Sequence, residues 1–221
     1  QLLNQIVYYQ GDYGGGDTPE SWVDYNFASY FTYSTRGIIC RLSLDGITPI
    51  SILYKVNSFA TEQLPLRTGN FKVYGAYDPK SNNYIIALEA TQFEAAYTLS
   101  FDEETKQFES FLSYKPEMMC TLGDLLITFK DGGMWTHDDP IVFNSFYGAI
   151  FDSYVDAPFN EGIRTKKTFT VISEISSTIW DCPLIWTNNQ SYAGQRQETS
   201  LGDFDFTVFE QNPSAAILRD V

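Results

Sequence analysis

Nothing constrains this chain more than the run from Phe71 to Tyr114, where short apolar segments alternate with clusters of turn-forming residues. Phe71, Val73, Gly75 and Tyr77 share one face of a period-2 pattern, and Asp78-Pro79-Lys80-Ser81-Asn82-Asn83 ends it as a turn. Tyr84–Ala90 is a nearly continuous apolar run, too short for a helix and suited to a strand buried on both faces. A third strand over Ala96–Phe101 leads through Asp102-Glu103-Glu104-Thr105-Lys106 into a fourth, Gln107–Tyr114, with alternating Phe108, Ser110 and Leu112. Four adjacent strands with short connections predict one antiparallel meander, the unit from which β-propeller blades are built.

The flanking sequence repeats the theme. Gln5–Tyr9 reads as a first strand, followed by the glycine-rich loop Gly11–Glu20 and an aromatic span, Trp22–Tyr33. Gly37–Leu44 pairs with Ile47–Val56 in a hairpin turning at Asp45-Gly46. Leu125–Lys130 pairs with Met134–His137 across Asp131-Gly132-Gly133. Val142–Val155 reads as one long aromatic strand interrupted at Gly148, and Phe159–Lys167 as a loop. Strands follow over Thr168–Ile175, Thr178–Trp186 and Phe204–Glu210, and Ser214–Arg219 forms a helical turn or a last strand. The expected fold is all-β: antiparallel four-stranded meanders forming part of a β-propeller, with twelve to fourteen strands and no long helix. The expected organisation is an N-terminal segment with the glycine-rich loop (1–36), partial propeller blades (37–212) and a C-terminal tail (213–221).

Composition narrows the function classes. With 28 acidic against 14 basic residues, the formal net charge of −14 repels nucleic-acid phosphates rather than holding them. The acids are scattered along the chain, as on a solvated surface. Cys40, Cys120 and Cys182 stand far apart with no Cys-x-x-Cys, so they form no zinc or redox motif, and free thiols suit assembly in a reducing cytoplasm. No apolar run approaches the ~20 residues of a membrane span. The chain opens on Gln1 rather than Met, which leads us to expect a piece of a longer polypeptide.

Sites of chemistry are sparse. His137 is the single histidine, so any Ser-His-Asp or Cys-His arrangement must use it, and no Gly-x-Ser-x-Gly occurs. Ser58 lacks elbow glycines and reads as a turn residue. His137-Asp138-Asp139 offers metal-ligand types, but a strand end with an acidic turn accounts for it more simply. Gly14-Gly15-Gly16-Asp17 echoes one copy of a calcium-binding repeat without the repeat, and a flexible loop is the simpler account. Neither a phosphate-binding loop nor a dinucleotide fingerprint is present. We nominate no catalytic, cofactor-binding or metal-binding residue, expect no cofactor, and do not expect an enzyme. The rival reading is a carbohydrate-active or carbohydrate-binding propeller. Ser43-Leu44-Asp45-Gly46 is half of an aspartate-box turn, and Trp22, Trp135, Trp180 and Trp186 could line a sugar groove, although core packing is the simpler role for tryptophan.

Several blocks carry a family likeness: Val73-Tyr74-Gly75-Ala76-Tyr77-Asp78-Pro79, Thr98–Glu104, Phe108-Glu109-Ser110-Phe111, Tyr114-Lys115-Pro116-Glu117 and Trp135-Thr136-His137-Asp138. With Asn144–Gly148 and Lys166-Lys167-Thr168-Phe169, they resemble the tail muzzle proteins of crAss-like bacteriophages over about Phe71–Val221. In architecture they are similar, more distantly, to the nozzle proteins of short-tailed phages. The blocks are strand and turn residues, not catalytic ones.

The resemblance implies a virion structural protein at the tail tip, assembled in the bacterial host cytoplasm. It implies a sixfold ring of copies that touches other phage tail proteins and passes double-stranded DNA transiently, without specific binding. About three four-stranded blades fit in 221 residues, fewer than most propellers need to close. The remaining part of a longer precursor is therefore an expected partner.

Overall fold

The computed structural model describes residues 9, 11–69, 71–137, 143–159, 162, 165, 169–176, 179–187, 197–201, 206–209 and 212–217. Strands account for 44% and helix for 12%, so the fold is mostly β, and every paired strand is antiparallel to its neighbour. Two compact units form, Gln1–Val155 and Asp156–Val221. The expected strand Gln5–Tyr9 lies outside the described residues except for Tyr9, as do Asp138-Asp139-Pro140 and most of 160–168.

The first unit is built from meanders taken in chain order. β1 (Val23–Tyr25), β2 (Ala28–Tyr33), β3 (Ile38–Ser43) and β4 (Gly46–Pro49) form one four-stranded sheet. This sheet spans the expected boundary at 36/37. β5 (Val73–Asp78), β6 (Asn83–Leu88), β7 (Tyr97–Asp102) and β8 (Gln107–Phe111) form the second, in the order expected for Phe71–Tyr114. β9 (Met118–Leu122), β10 (Leu125–Lys130) and β11 (Gly133–Thr136) form a three-stranded third.

Strand periodicity explains how these sheets stack. On the second sheet, Val73, Tyr77, Tyr84, Ile86, Leu88, Leu99 and Phe101 face the first, packing with Tyr30, Ile39 and Ile50. Ala76, Ile85 and Ala87 point the other way, against Met119 and Leu126 of the third. Every residue of β6 is therefore buried, as expected for a strand covered on both faces. β1 packs on β5, and β5 on β9, so the sheets touch through their first strands.

Two expected strands are corrected. The strand expected over Ile47–Val56 stops at Pro49, and the chain continues as α1 (Ile50–Leu53) and α2 (Asn57–Gln63). Proline has no amide to extend the ladder, and the Ser51 hydroxyl takes the Ile39 amide instead, at 3.1 Å. The turn before β4 is Leu44-Asp45, one residue earlier than expected, because Ser43 pairs with Gly46. Arg67 follows α2 and is fully buried. Its guanidinium donates to the Gln63 and Ala95 carbonyls at 2.8 and 2.6 Å and to that of Glu89 at 3.1 Å, tying the helix end to the β6–β7 connection.

The strand expected over Val142–Val155 is instead a short hairpin, β12 (Ser145–Phe146) and β13 (Ala149–Ile150). Its turn residues Tyr147 and Gly148 have φ of 55° and 78°, the left-handed pair that a two-residue hairpin turn requires. The second unit holds β14 (Val171–Ser173), β15 (Cys182–Thr187), β16 (Gln197–Leu201), β17 (Thr207–Phe209) and β18 (Asn212–Ala216). β14, β18 and β17 make one sheet and β15 and β16 another, around Leu201, Phe206 and Ala215. The residues after Pro213 thus continue a strand rather than a helical turn. Among the described residues, no helix is long and apolar enough to cross a membrane.

Candidate functional site

The densest polar chemistry in the first unit lies on the seams between sheets. Tyr30 and Arg41 stand opposite each other on β2 and β3, and Glu103 reaches them from the β7–β8 turn. The Glu103 carboxylate accepts the Tyr30 hydroxyl at 2.5 Å and the Arg41 fork at 2.7 and 3.0 Å, and Lys106 also donates to it. Burial alone would raise its pKa, but hydrogen bonds from Arg41, Lys106 and Tyr30 outweigh burial and hold it below the ordinary value. Burial, then the bond to Glu103, pushes the Tyr30 phenol upward, so it stays a neutral donor. The group is an ion pair clasping two sheets.

The second seam joins the first strands. The Thr121 hydroxyl on β9 accepts the Tyr77 amide at 2.9 Å and donates to the Tyr77 carbonyl at 2.5 Å. On the opposite side, Gly75 passes so close to the 3-10 turn Pro19–Ser21 that an added Cβ would lie 2.2 Å from the Ser21 carbonyl oxygen. That same oxygen accepts the buried Tyr84 hydroxyl at 2.8 Å. Thr18, Ser21, Thr32 and Ser34 are fully or almost fully buried and satisfy one another, with Thr18 and Thr32 hydroxyls 2.7 Å apart.

The residues singled out in the sequence are dispersed. His137 stacks on Tyr114 with ring centroids 4.4 Å apart, and its Nε2 lies 2.7 Å from the buried Thr128 hydroxyl, which also accepts Tyr147. Asp138 and Asp139 lie outside the described residues. Ser58 is exposed on α2, where its carbonyl accepts the Thr61 hydroxyl. Cys40 is buried, which pushes its thiol up to about 12 and makes it inert at neutral pH. Cys120 and Cys182 are free and partly buried. Among the described residues, no group of three His, Cys, Asp or Glu converges as metal ligands.

Gly14 and Gly15 lie against Tyr33 and Phe31, so the glycine-rich loop covers the first sheet rather than acting as a free spacer. Asp17 of that loop accepts the Thr35 amide at 2.6 Å and its hydroxyl at 2.8 Å. The tryptophans are not core residues: Trp22, Trp135, Trp180 and Trp186 are 42%, 37%, 46% and 49% exposed. An open cleft of about 520 Å³ runs between the β1–β2 and β3–β4 turns, lined by Tyr9, Asp24, Tyr25, Asn26 and Phe27 among others.

Sequence reasoning missed both seams. Arg41 carried a signal, a lone charge inside the apolar run Ile38–Leu44 at an inward position, which predicts a buried partner. Thr121 carried none, because a strand threonine looks the same whether or not its hydroxyl bridges two sheets. No protein-family profile matches this chain, and no curated protein is significantly similar to it.

Proposed function

We propose that the chain is a structural component of a phage tail tip, part of a β-propeller in a ring of copies that closes the distal end of the tail and conducts DNA during ejection. One observation carries the propeller part: three consecutive meanders stack face to face in chain order, with β1, β5 and β9 in contact. Propeller blades are joined in the same way, first strand beside first strand around an axis. The tail-tip part rests on the resemblance of the blocks between Val73 and Phe169. A net charge of −14 suits a conduit, since an acidic wall does not hold phosphate as lysine and arginine would. Electron-microscopic density of the native assembly tests the reading. We expect a ring with a continuous axial channel, and a channel lined mainly by Lys and Arg, or none, would overturn it.

A second reading, carbohydrate binding, is favoured by the cleft, which combines the aromatic rings of Tyr9, Tyr25 and Phe27 with the polar ends of Asp24 and Asn26. Sugar rings stack on such aromatics while carboxylate and amide groups take the hydroxyls. Calorimetric titration with host-surface oligosaccharides, comparing the chain with Phe27→Ala, separates the two readings. Heat that vanishes in the variant would favour this one.

A further inference from the structure

The cleft between the β1–β2 and β3–β4 turns carries one sign of charge. Val23 and Tyr25 pack into the core between the first two sheets, so Asp24, between them, points to the outer face. Register sets Asp24 beside Ser29 and Ser29 beside Leu42, and all three line the cleft. The Trp22 indole N–H donates to Asp24 Oδ1 at 2.9 Å, and the Trp22 ring stacks on Phe31 with centroids 4.9 Å apart. Asp24 is thus steadied by a residue that is itself packed on the sheet.

Among the described residues, no Lys, Arg or His lines the cleft. Arg41 neighbours Leu42 on β3 but faces the other way, where Glu103 takes it at 2.7 Å. Lys72 and Arg36 pair with Glu20 and Asp12. Exposed rings stand at the mouth: Phe27 at the tip of the β1–β2 turn and Tyr9 beside Gly46. A carboxylate without a cationic partner, flanked by exposed aromatic faces, suits an organic ammonium group. The rings attract the cation and cover its apolar surface, while the carboxylate accepts its N–H groups.

We propose that Asp24 is the ammonium site of this cleft, which selects a hexosamine with a free amino group, as in a glucosamine oligosaccharide. The inference rests on the carbohydrate reading of the cleft and names the class of sugar. A neutral sugar gains the ring stacking but leaves Asp24 without a counter-charge. An acidic sugar meets Asp24 and a net charge of −14, with no basic side chain to receive it. N-acetylation removes the charge of the amine and leaves it a single N–H.

Calorimetric titration of the whole chain with a glucosamine trisaccharide, its N-acetylated counterpart, a glucose trisaccharide and a simple alkyl diamine tests the assignment. The free amino sugar should bind at least about fivefold more tightly than the other two sugars, as an exposed ion pair and a cation–π contact together allow. High salt should shrink that preference. Asp24→Asn keeps an acceptor for the Trp22 N–H and removes the charge, so the variant should melt like the parent and bind the three sugars alike. Equal affinity of the parent for the three sugars, or a preference that survives in Asp24→Asn, would overturn the proposal and leave the carbohydrate reading standing. Diamine binding as tight as that of the amino sugar would sink the carbohydrate reading and support the ammonium site. No heat with any of the four sinks both.

Discussion

Thr121 completes the backbone hydrogen bonding of Tyr77, its single hydroxyl serving both the amide and the carbonyl. β5 is the edge strand of the second sheet, so these two groups have no strand beside them. A side chain from the next sheet takes the place of that strand, which blunts the edge and fixes the spacing of the two sheets.

Thr121→Val keeps the shape and removes the hydroxyl, leaving a buried amide and carbonyl unpaired. The expected loss is about 1–3 kcal/mol in urea denaturation. Thr121→Ser should recover most of it, and a valine variant as stable as the parent would mean that the bridge contributes nothing.

Gly75→Ala tests the opposite seam. Its Cβ would meet the Ser21 carbonyl, a backbone atom that cannot swing aside, at 2.2 Å. Overpacking of this kind costs about 1–3 kcal/mol, and the Tyr84 hydroxyl would lose its acceptor geometry as well. Gly16→Ala, where no atom lies within 4 Å, is the matched control and should leave the melting temperature unchanged.

The Glu103 clasp gives a pH dependence whose sign follows from its lowered pKa. The ionised carboxylate stabilises the fold at every pH above its ordinary 4.5, and that contribution is lost as pH falls through the lower folded value. Glu103→Gln should cost about 2–3 kcal/mol at pH 7 and should flatten the decline in stability below pH 4.5. Parallel acid-unfolding profiles of parent and variant would refute the assignment.

Ile86 sits in the middle of β6, fully buried against the first sheet. Ile86→Asp puts an unpaired charge there and should cost at least about 4 kcal/mol. Ile86→Val should cost about 1 kcal/mol. Thermal melts that leave the aspartate variant unchanged would contradict the burial of this strand.

The central sheet was legible because its pattern has a period. Val73 and Tyr77 do alternate onto one face, and the Asp78–Asn82 and Asp102–Lys106 clusters do form turns, each with its aspartate accepting nearby amide and hydroxyl groups. The hairpin expected from Leu125–Lys130 and Met134–His137 was legible for the same reason, but its turn is Asp131-Gly132 alone, since Gly133 already pairs with Lys130 and the strand ends at Thr136. Ile50–Val56 was not, since a short apolar run has no period to distinguish helix from strand, and Pro49 decided the outcome. Tyr147 hid a turn, because a bulky residue with positive φ is uncommon. Of the seams, only Arg41 showed in the sequence. Contacts between sheets depend on which meander lands beside which, and no local pattern encodes that.

The sheets stack in the order in which they are written, which bears on how the chain is made. Chains leave the ribosome N-terminus first at about 5–20 residues per second, slow against the microseconds a hairpin needs to form. β1–β4 can therefore close before β5 emerges, and each finished sheet offers its apolar face as a template for the next. Pairing stays local within the three sheets of β1–β11, so none of them needs a slow long-range search for its strands. Synthesis itself then sets the order of assembly, one sheet at a time.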